Sequence, residues 1–153
     1  MTFYNKINKR RFSDYFGEQL MYKGIFIILR RFFMVKYEVM VKRIGELVAE
    51  YLKQKVLIIF DEDCPMELKE ISITHTKAEL QKDVAVGDTV YFKDVPYKVT
   101  AVGEQANGNI RKIGHCVFKF DGSSNPELPG YIHVEDKFLP NLFLGDKIRI
   151  EGE

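Results

Sequence analysis

From Val35 onward, apolar and polar residues alternate in short runs separated by turn signals. Val35, Tyr37, Val39 and Val41 alternate with Lys36, Glu38, Met40 and Lys42, and Gly45 ends the run. Period two predicts a strand with one buried face. Leu47, Val48, Tyr51 and Leu52 stand at helical spacing and predict a turn or two of helix over Glu46–Leu52. Val56-Leu57-Ile58-Ile59-Phe60 is a continuous apolar run of buried-strand length, closed by Asp61-Glu62-Asp63-Cys64-Pro65. Pro65–Leu68 reads as one helical turn, since proline suits a first helical position.

The next run, Glu70–Lys77, alternates again and contains His75. Strand periodicity sets Ile71, Ile73, His75 and Lys77 on one face and Ser72, Thr74 and Thr76 on the other. His75 therefore ends an apolar row, where partial burial is expected. Val86–Phe92 and Tyr97–Val102 read as a hairpin joined by Lys93-Asp94-Val95-Pro96. Gly103–Lys112, with Asn107-Gly108-Asn109, reads as a loop. Gly114–Phe120 is a strand with Cys116, Phe118 and Phe120 on one face, Asp121–Gly130 is a loop, and Tyr131–Val134 and Lys147–Glu151 are the last strands. Val86-Gly87-Asp88-Thr89-Val90 is echoed by Leu144-Gly145-Asp146-Lys147-Ile148. Neither copy leads into a helix, so both read as strand entries and not as phosphate cradles. Many strands, little helix and no βαβ rhythm predict an all-β fold, a small closed barrel or a sandwich of about seven strands. Closure removes exposed strand edges.

Candidate chemistry is sparse, and this gives His75 its weight. Only three histidines occur, His75, His115 and His133. An imidazole of ordinary pKa is a neutral nucleophile near pH 7 and can carry a phosphoryl group without metal or cofactor. Lys77, two residues on, could meet a phosphoryl oxygen as a point charge. His115 and His133 read as structural or surface positions. No histidine pair has metal-ligand spacing, no G-x-S-x-G motif supports a serine triad, and Cys64 and Cys116 form no C-x-x-C pair. No metal and no cofactor is expected.

Net charge is +1, which does not suggest nucleic acid or an anionic membrane as partner. That charge is unevenly spread: residues 1–33 carry +5 and the remainder −4. Residues 1–33 are aromatic and basic without a clear period, and read as an N-terminal extension outside the fold. A basic amphipathic arm is one reading. Another is an initiation artefact: Arg30-Arg31-Phe32-Phe33-Met34 is what a purine-rich ribosome-binding sequence before a start codon would encode, which makes Met34 the expected initiator. The apolar run Gly24–Leu29 is ended by Arg30-Arg31 and falls far short of the roughly 20 residues a spanning helix needs. A cytoplasmic location is expected.

Several ordered segments carry a family resemblance. They are Lys42-Arg43-Ile44-Gly45, Ile73-Thr74-His75 with Glu79-Leu80, Tyr97-Lys98-Val99-Thr100-Ala101-Val102-Gly103, Arg111-Lys112-Ile113-Gly114-His115, Phe120-Asp121-Gly122 and Leu128-Pro129-Gly130-Tyr131-Ile132-His133-Val134. From Met34 to the end the chain resembles the glucitol/sorbitol-specific IIA component of the phosphoenolpyruvate-dependent sugar phosphotransferase system (PTS). The resemblance covers residues 34–153 and none of residues 1–33. It implies a small closed Greek-key-like β-barrel of about six to seven strands with a short helical segment. It implies a phosphotransferase activity: a histidine takes a phosphoryl group from phospho-HPr and donates it to the IIB part of a glucitol/sorbitol IIB/IIC permease. By position that histidine is His75. The implied membrane association is peripheral, through the permease. Family members often carry a second histidine two residues on; Lys77 stands there and favours a charge role. A non-catalytic or regulatory barrel adaptor is the alternative.

Overall fold

A computed structural model describes residues 33–153. The expectations for residues 1–32, whether extension, arm or initiation artefact, lie outside the described residues. Eight strands close into a barrel in the order β1-β3-β2-β6-β7-β5-β4-β8. They are β1 (Met34–Ile44), β2 (Val56–Asp61), β3 (Ile73–His75), β4 (Thr89–Phe92), β5 (Val95–Val102), β6 (Cys116–Phe120), β7 (Tyr131–Val134) and β8 (Lys147–Gly152). Three short helices decorate it: α1 (Val48–Lys53), α2 (Met66–Ile71) and α3 (Ala106–Ile113). The expected all-β barrel is present, with one strand more than the six to seven expected.

Two pairs, β2–β3 and β6–β7, are parallel. A parallel pair needs a crossover, supplied by α2 in the first case and the 121–130 loop in the second. The alternation read in β1 holds from Tyr37 on, with Tyr37, Val39 and Val41 buried and Met40 exposed, but fails at its start, where Val35 is exposed and Lys36 is buried. Phe92, Tyr97, Phe118 and Phe120 fill one part of the interior, with ring centroids 5.1–5.5 Å apart. Edge-on and tilted contacts of this kind suit the aromatic quadrupole. β6 runs from there back to Cys116, which lies opposite Ile59 of β2.

Three expectations need correction. Residues 106–113 form helix α3, although Asn107-Gly108-Asn109 has poor helix propensity. Tertiary contacts override it. Ala106 and Ile110, four residues apart, are buried in the core. The Asn107 amide meanwhile accepts from Val84 N at 2.8 Å and donates to Val84 O at 3.1 Å. The β4–β5 connection is only Lys93-Asp94, because Phe92 pairs with Val95, and Lys93 supplies the positive φ of the turn. Finally, β3 is covered on both faces: Ile73, Thr74 and His75 are all buried.

One buried ion pair ties the start of β1 to the 83–88 loop. Lys36 Nζ lies 2.7 Å from Asp88 Oδ2 and donates to Asp83 O at 3.0 Å. Asp88 Oδ2 also accepts from Ala85 N at 2.8 Å. Gly152 makes room for the pair, since a Cβ there would sit 1.9 Å from Asp88 Oδ1. Removing one member of such a pair strands its partner's charge. Lys36→Met is expected to cost about 3–5 kcal/mol by urea unfolding. Lys55→Met, which breaks the exposed Lys55–Asp136 pair, should cost less than about 1 kcal/mol.

Candidate functional site

His75 ends β3 and sits between β1 and β2, opposite Val41 on one side and Asp61 on the other. Its side chain is fully buried, at 0% exposure, where partial burial was expected. The interior row does not fade at His75; solvent is reached only beyond the strand, at the exposed Lys77. Nδ1 lies 2.8 Å from the Thr76 carbonyl oxygen and Nε2 lies 2.8 Å from the Gly114 carbonyl oxygen. The Tyr37 ring meets the imidazole edge-on, with centroids 6.0 Å apart.

Gly114 ends α3 in the left-handed conformation, φ +59°. It also touches the imidazole: a Cβ there would stand 2.8 Å from His75 Cε1 and 2.9 Å from Asp61 Cβ. Glycine is therefore required twice, by backbone conformation and by contact. Asp61 lies at the same end of the barrel and accepts from Asp63 N at 3.0 Å. The Tyr37 hydroxyl is buried and has no hydrogen-bond partner among the described residues. Burial first, then the charges of Asp61 and Cys116, push its phenol well above the ordinary tyrosine range. Burial likewise pushes the Cys116 thiol far above the ordinary thiol range.

A cleft of about 250 Å³ opens beside this corner. Phe60, Pro65, Leu68 and Ile113 supply its apolar wall, and Asp61, Asp63, Lys77 and Lys112 its charges. Lys77 thus reaches the cleft, but not by strand periodicity, since β3 ends at His75. Its ammonium is ion-paired with Asp63, and that bond raises its pKa. Lys112 has no ion-pair partner among the described residues.

The other two histidines lie apart from the His75 ring. His115 stacks on Phe60, with centroids 4.0 Å apart, and its Nδ1 donates to Ile59 O at 3.0 Å. Burial lowers its pKa and keeps it neutral, against the opposing effect of the Ile59 bond. His133 is fully buried; its Nδ1 lies 2.8 Å from Asp121 Oδ1 and its Nε2 accepts from Glu127 N at 3.0 Å. It clamps the 121–130 loop onto β7, a structural position. Gly114 and Asp61 were missed as site residues; the one available signal was a glycine placed just before a strand.

A closed barrel with a fully buried imidazole, next to a cleft whose wall is apolar with charges of both signs, defines a small β-barrel domain. Comparison with known proteins gives the family. Residues 36–149 match the model of the PTS system glucitol/sorbitol-specific IIA component. The chain is 32% identical over 118 residues to the PTS system glucitol/sorbitol-specific EIIA components of Shigella flexneri and of Escherichia coli K12, covering 77% of this chain and 96% of each relative. The crystal structure of a PTS system IIA component from Enterococcus faecalis V583 superposes with a TM-score of 0.66 at 25% identity, covering 73% of this chain and 97% of that one. The chain belongs to the glucitol/sorbitol-specific IIA component family of the PTS. No helix among the described residues is long and apolar enough to cross a membrane.

Two predictions follow from this corner of the barrel. Gly114→Ala adds a clash with the imidazole to the strain of a left-handed residue. Gly145→Ala, at φ +88° with nothing within 4 Å of its Cβ, adds strain alone. Strain of this kind costs about 1–2 kcal/mol, so thermal unfolding should show a clearly larger loss for Gly114→Ala. The second concerns pH. His115 has a folded pKa below its ordinary value of 6.5, so the unfolded chain binds the proton more tightly. Its contribution to stability is complete above 6.5 and is lost as pH falls below it. The urea midpoint should therefore fall between pH 7.5 and 5.5, and His115→Asn should flatten that dependence.

Proposed function

We propose that this protein is a phosphocarrier in which His75 accepts a phosphoryl group from phospho-HPr and passes it to the IIB component of a glucitol/sorbitol permease. The activity is assigned to residues 34–153. The observation that carries the proposal is the imidazole of His75, held by the Thr76 carbonyl on the strand position paired with Asp61, which lines the cleft. A proton fixed on Nδ1 by that carbonyl makes Nε2 the nucleophile. Nε2 attacks phosphorus in line. The donor's nitrogen–phosphorus bond breaks and its electron pair returns to the donor ring. The new nitrogen–phosphorus bond on His75, also high in transfer potential, breaks in turn when the IIB acceptor attacks, and its electron pair returns to the His75 ring.

Such chemistry depends on positioning and charge more than on covalent machinery. Lys77 is the proposed cation for the phosphoryl oxygens. Its bond to Asp63 is solvent-exposed, and exposed pairs are weak enough to exchange partners. The apolar wall of Phe60, Pro65, Leu68 and Ile113 suits a modest, transient interface, as partners that alternate require.

A second reading has one observation in its favour. A ring with no exposure and both nitrogens against carbonyls also suits a histidine that is only packed, as in a non-catalytic or regulatory adaptor.

Intact mass after incubation with phosphoenolpyruvate, the general phosphotransferase enzyme and HPr separates the two. One acid-labile phosphate is expected on wild type and none on a folded His75→Ala. Lys77→Ala should charge to the same extent but more slowly, by less than the roughly 10²-fold cost of losing a preorganised, water-excluded donor, because Lys77 is exposed. Phosphate on His75→Ala would overturn the assignment, and absence of phosphate on wild type beside charged HPr would favour the adaptor.

A further inference from the structure

We propose that the Gly114 carbonyl is a removable cap on Nε2 of His75, and that charging the histidine displaces the end of α3 at the docking cleft. This inference rests on the phosphocarrier reading above. Its starting point is a conflict between chemistry and geometry. Nε2 must present a lone pair to phosphorus, yet it faces the Gly114 oxygen at 2.8 Å and the ring has no exposure. A phosphoryl group on Nε2 needs the volume that this carbonyl occupies.

An imidazole can donate to two carbonyls only when both nitrogens carry protons. A neutral ring donates once and sets its other lone pair against an oxygen. Which carbonyl gives way depends on how each is held. Thr76 is pegged to β1 twice: its N–H donates to Met40 O at 3.0 Å, and its Oγ1 accepts from Met40 N at 3.0 Å. The Gly114 peptide is held by the last turn of its own short helix, Gly114 N to Ile110 O at 3.0 Å and His115 N to Asn109 O at 3.3 Å. Just beyond it the chain is anchored again, through the His115 ring on Ile59 O and the pairing of Cys116 with Ile59.

The movable piece is thus bounded. With the proton kept on Nδ1 by Thr76, the Nε2 lone pair and the Gly114 oxygen repel each other, which favours withdrawal of the carbonyl before attack. Glycine lets that peptide reorient without a side chain in the way. As the nitrogen–phosphorus bond forms, the donor's bond breaks, and no proton has to leave the His75 ring. Lys112 and Ile113, immediately before Gly114, line the cleft. Their displacement gives the charged and uncharged proteins different docking surfaces, which is what two alternating partners need in order to be told apart.

The test is amide hydrogen exchange by NMR on the full 153-residue chain, uncharged and held charged with phosphoenolpyruvate, the general enzyme and catalytic HPr. The amides of Gly114 and His115 are expected to lose protection by at least about tenfold on charging, while Thr76 and the β6 amides keep theirs. Intact mass on the same samples shows whether phosphate is present, and His75→Ala gives the uncharged control. Phosphate on His75 with unchanged protection at Gly114 and His115, or with protection lost at Thr76 instead, overturns the cap and leaves the phosphocarrier reading standing. Absence of phosphate with HPr charged overturns both.

Discussion

The contact between the Gly114 carbonyl and the His75 imidazole is the constraint around which this end of the barrel is organised. It joins the end of α3, the entry to β6 and the last residue of β3 at one point. The two partners are held to different degrees. The imidazole is fixed by strand pairing on both sides and by a second carbonyl at Thr76. The glycine's identity is set by a left-handed helix end and by the absence of room for any Cβ, while its peptide is held only by the last turn of α3. An imidazole held this firmly has little further entropy to lose, which suits the proposed phosphoryl acceptor. The same firmness shields it.

The cleft beside it is less settled, and that is where function requires latitude. Lys77 and Asp63 are more than half exposed, so their attraction is screened and exchangeable. Ile113 and Met66 present apolar surface near the same corner, at 47% and 60% exposure. A surface of this kind can accept a partner without refolding, and can release it again. The stable and the exchangeable parts of the site are therefore divided between strand ends and helix ends.

Elsewhere, buried polar groups do the fastening. Lys36–Asp88 ties the 83–88 loop to β1, and His133 ties the 121–130 loop to β7 through Asp121 and Glu127. Asp121 is buried enough to raise its pKa, but the His133 bond and the Ser123 N–H prevail and lower it. Both loops would otherwise be long structureless connections. Fixing them with satisfied hydrogen bonds keeps the barrel's short strands in register at modest chain length.

Much of this was legible in the sequence. Alternation in β1, the apolar run of β2 and the paired Phe118 and Phe120 are local signals, because period two is a property of each strand alone. They sufficed for an all-β barrel or sandwich, while the family resemblance rested on ordered motifs such as Phe120-Asp121-Gly122 and Leu128-Pro129-Gly130-Tyr131-Ile132-His133-Val134. Other features depended on residues far apart in the chain. Asn107 and Gly108 argue against a helix until Val84 arrives to satisfy the Asn107 amide. Thr74 reads as lying on the polar face until the fold buries both faces of β3. His75 reads as half-exposed until Gly114, 39 residues away, brings a carbonyl to Nε2. The sequence by itself determined which residues could form strands and which could carry a phosphoryl group. Only the tertiary structure decided which of them are buried, and which nitrogen faces which oxygen, because burial and hydrogen-bond partnership are set by barrel closure and not by any local pattern.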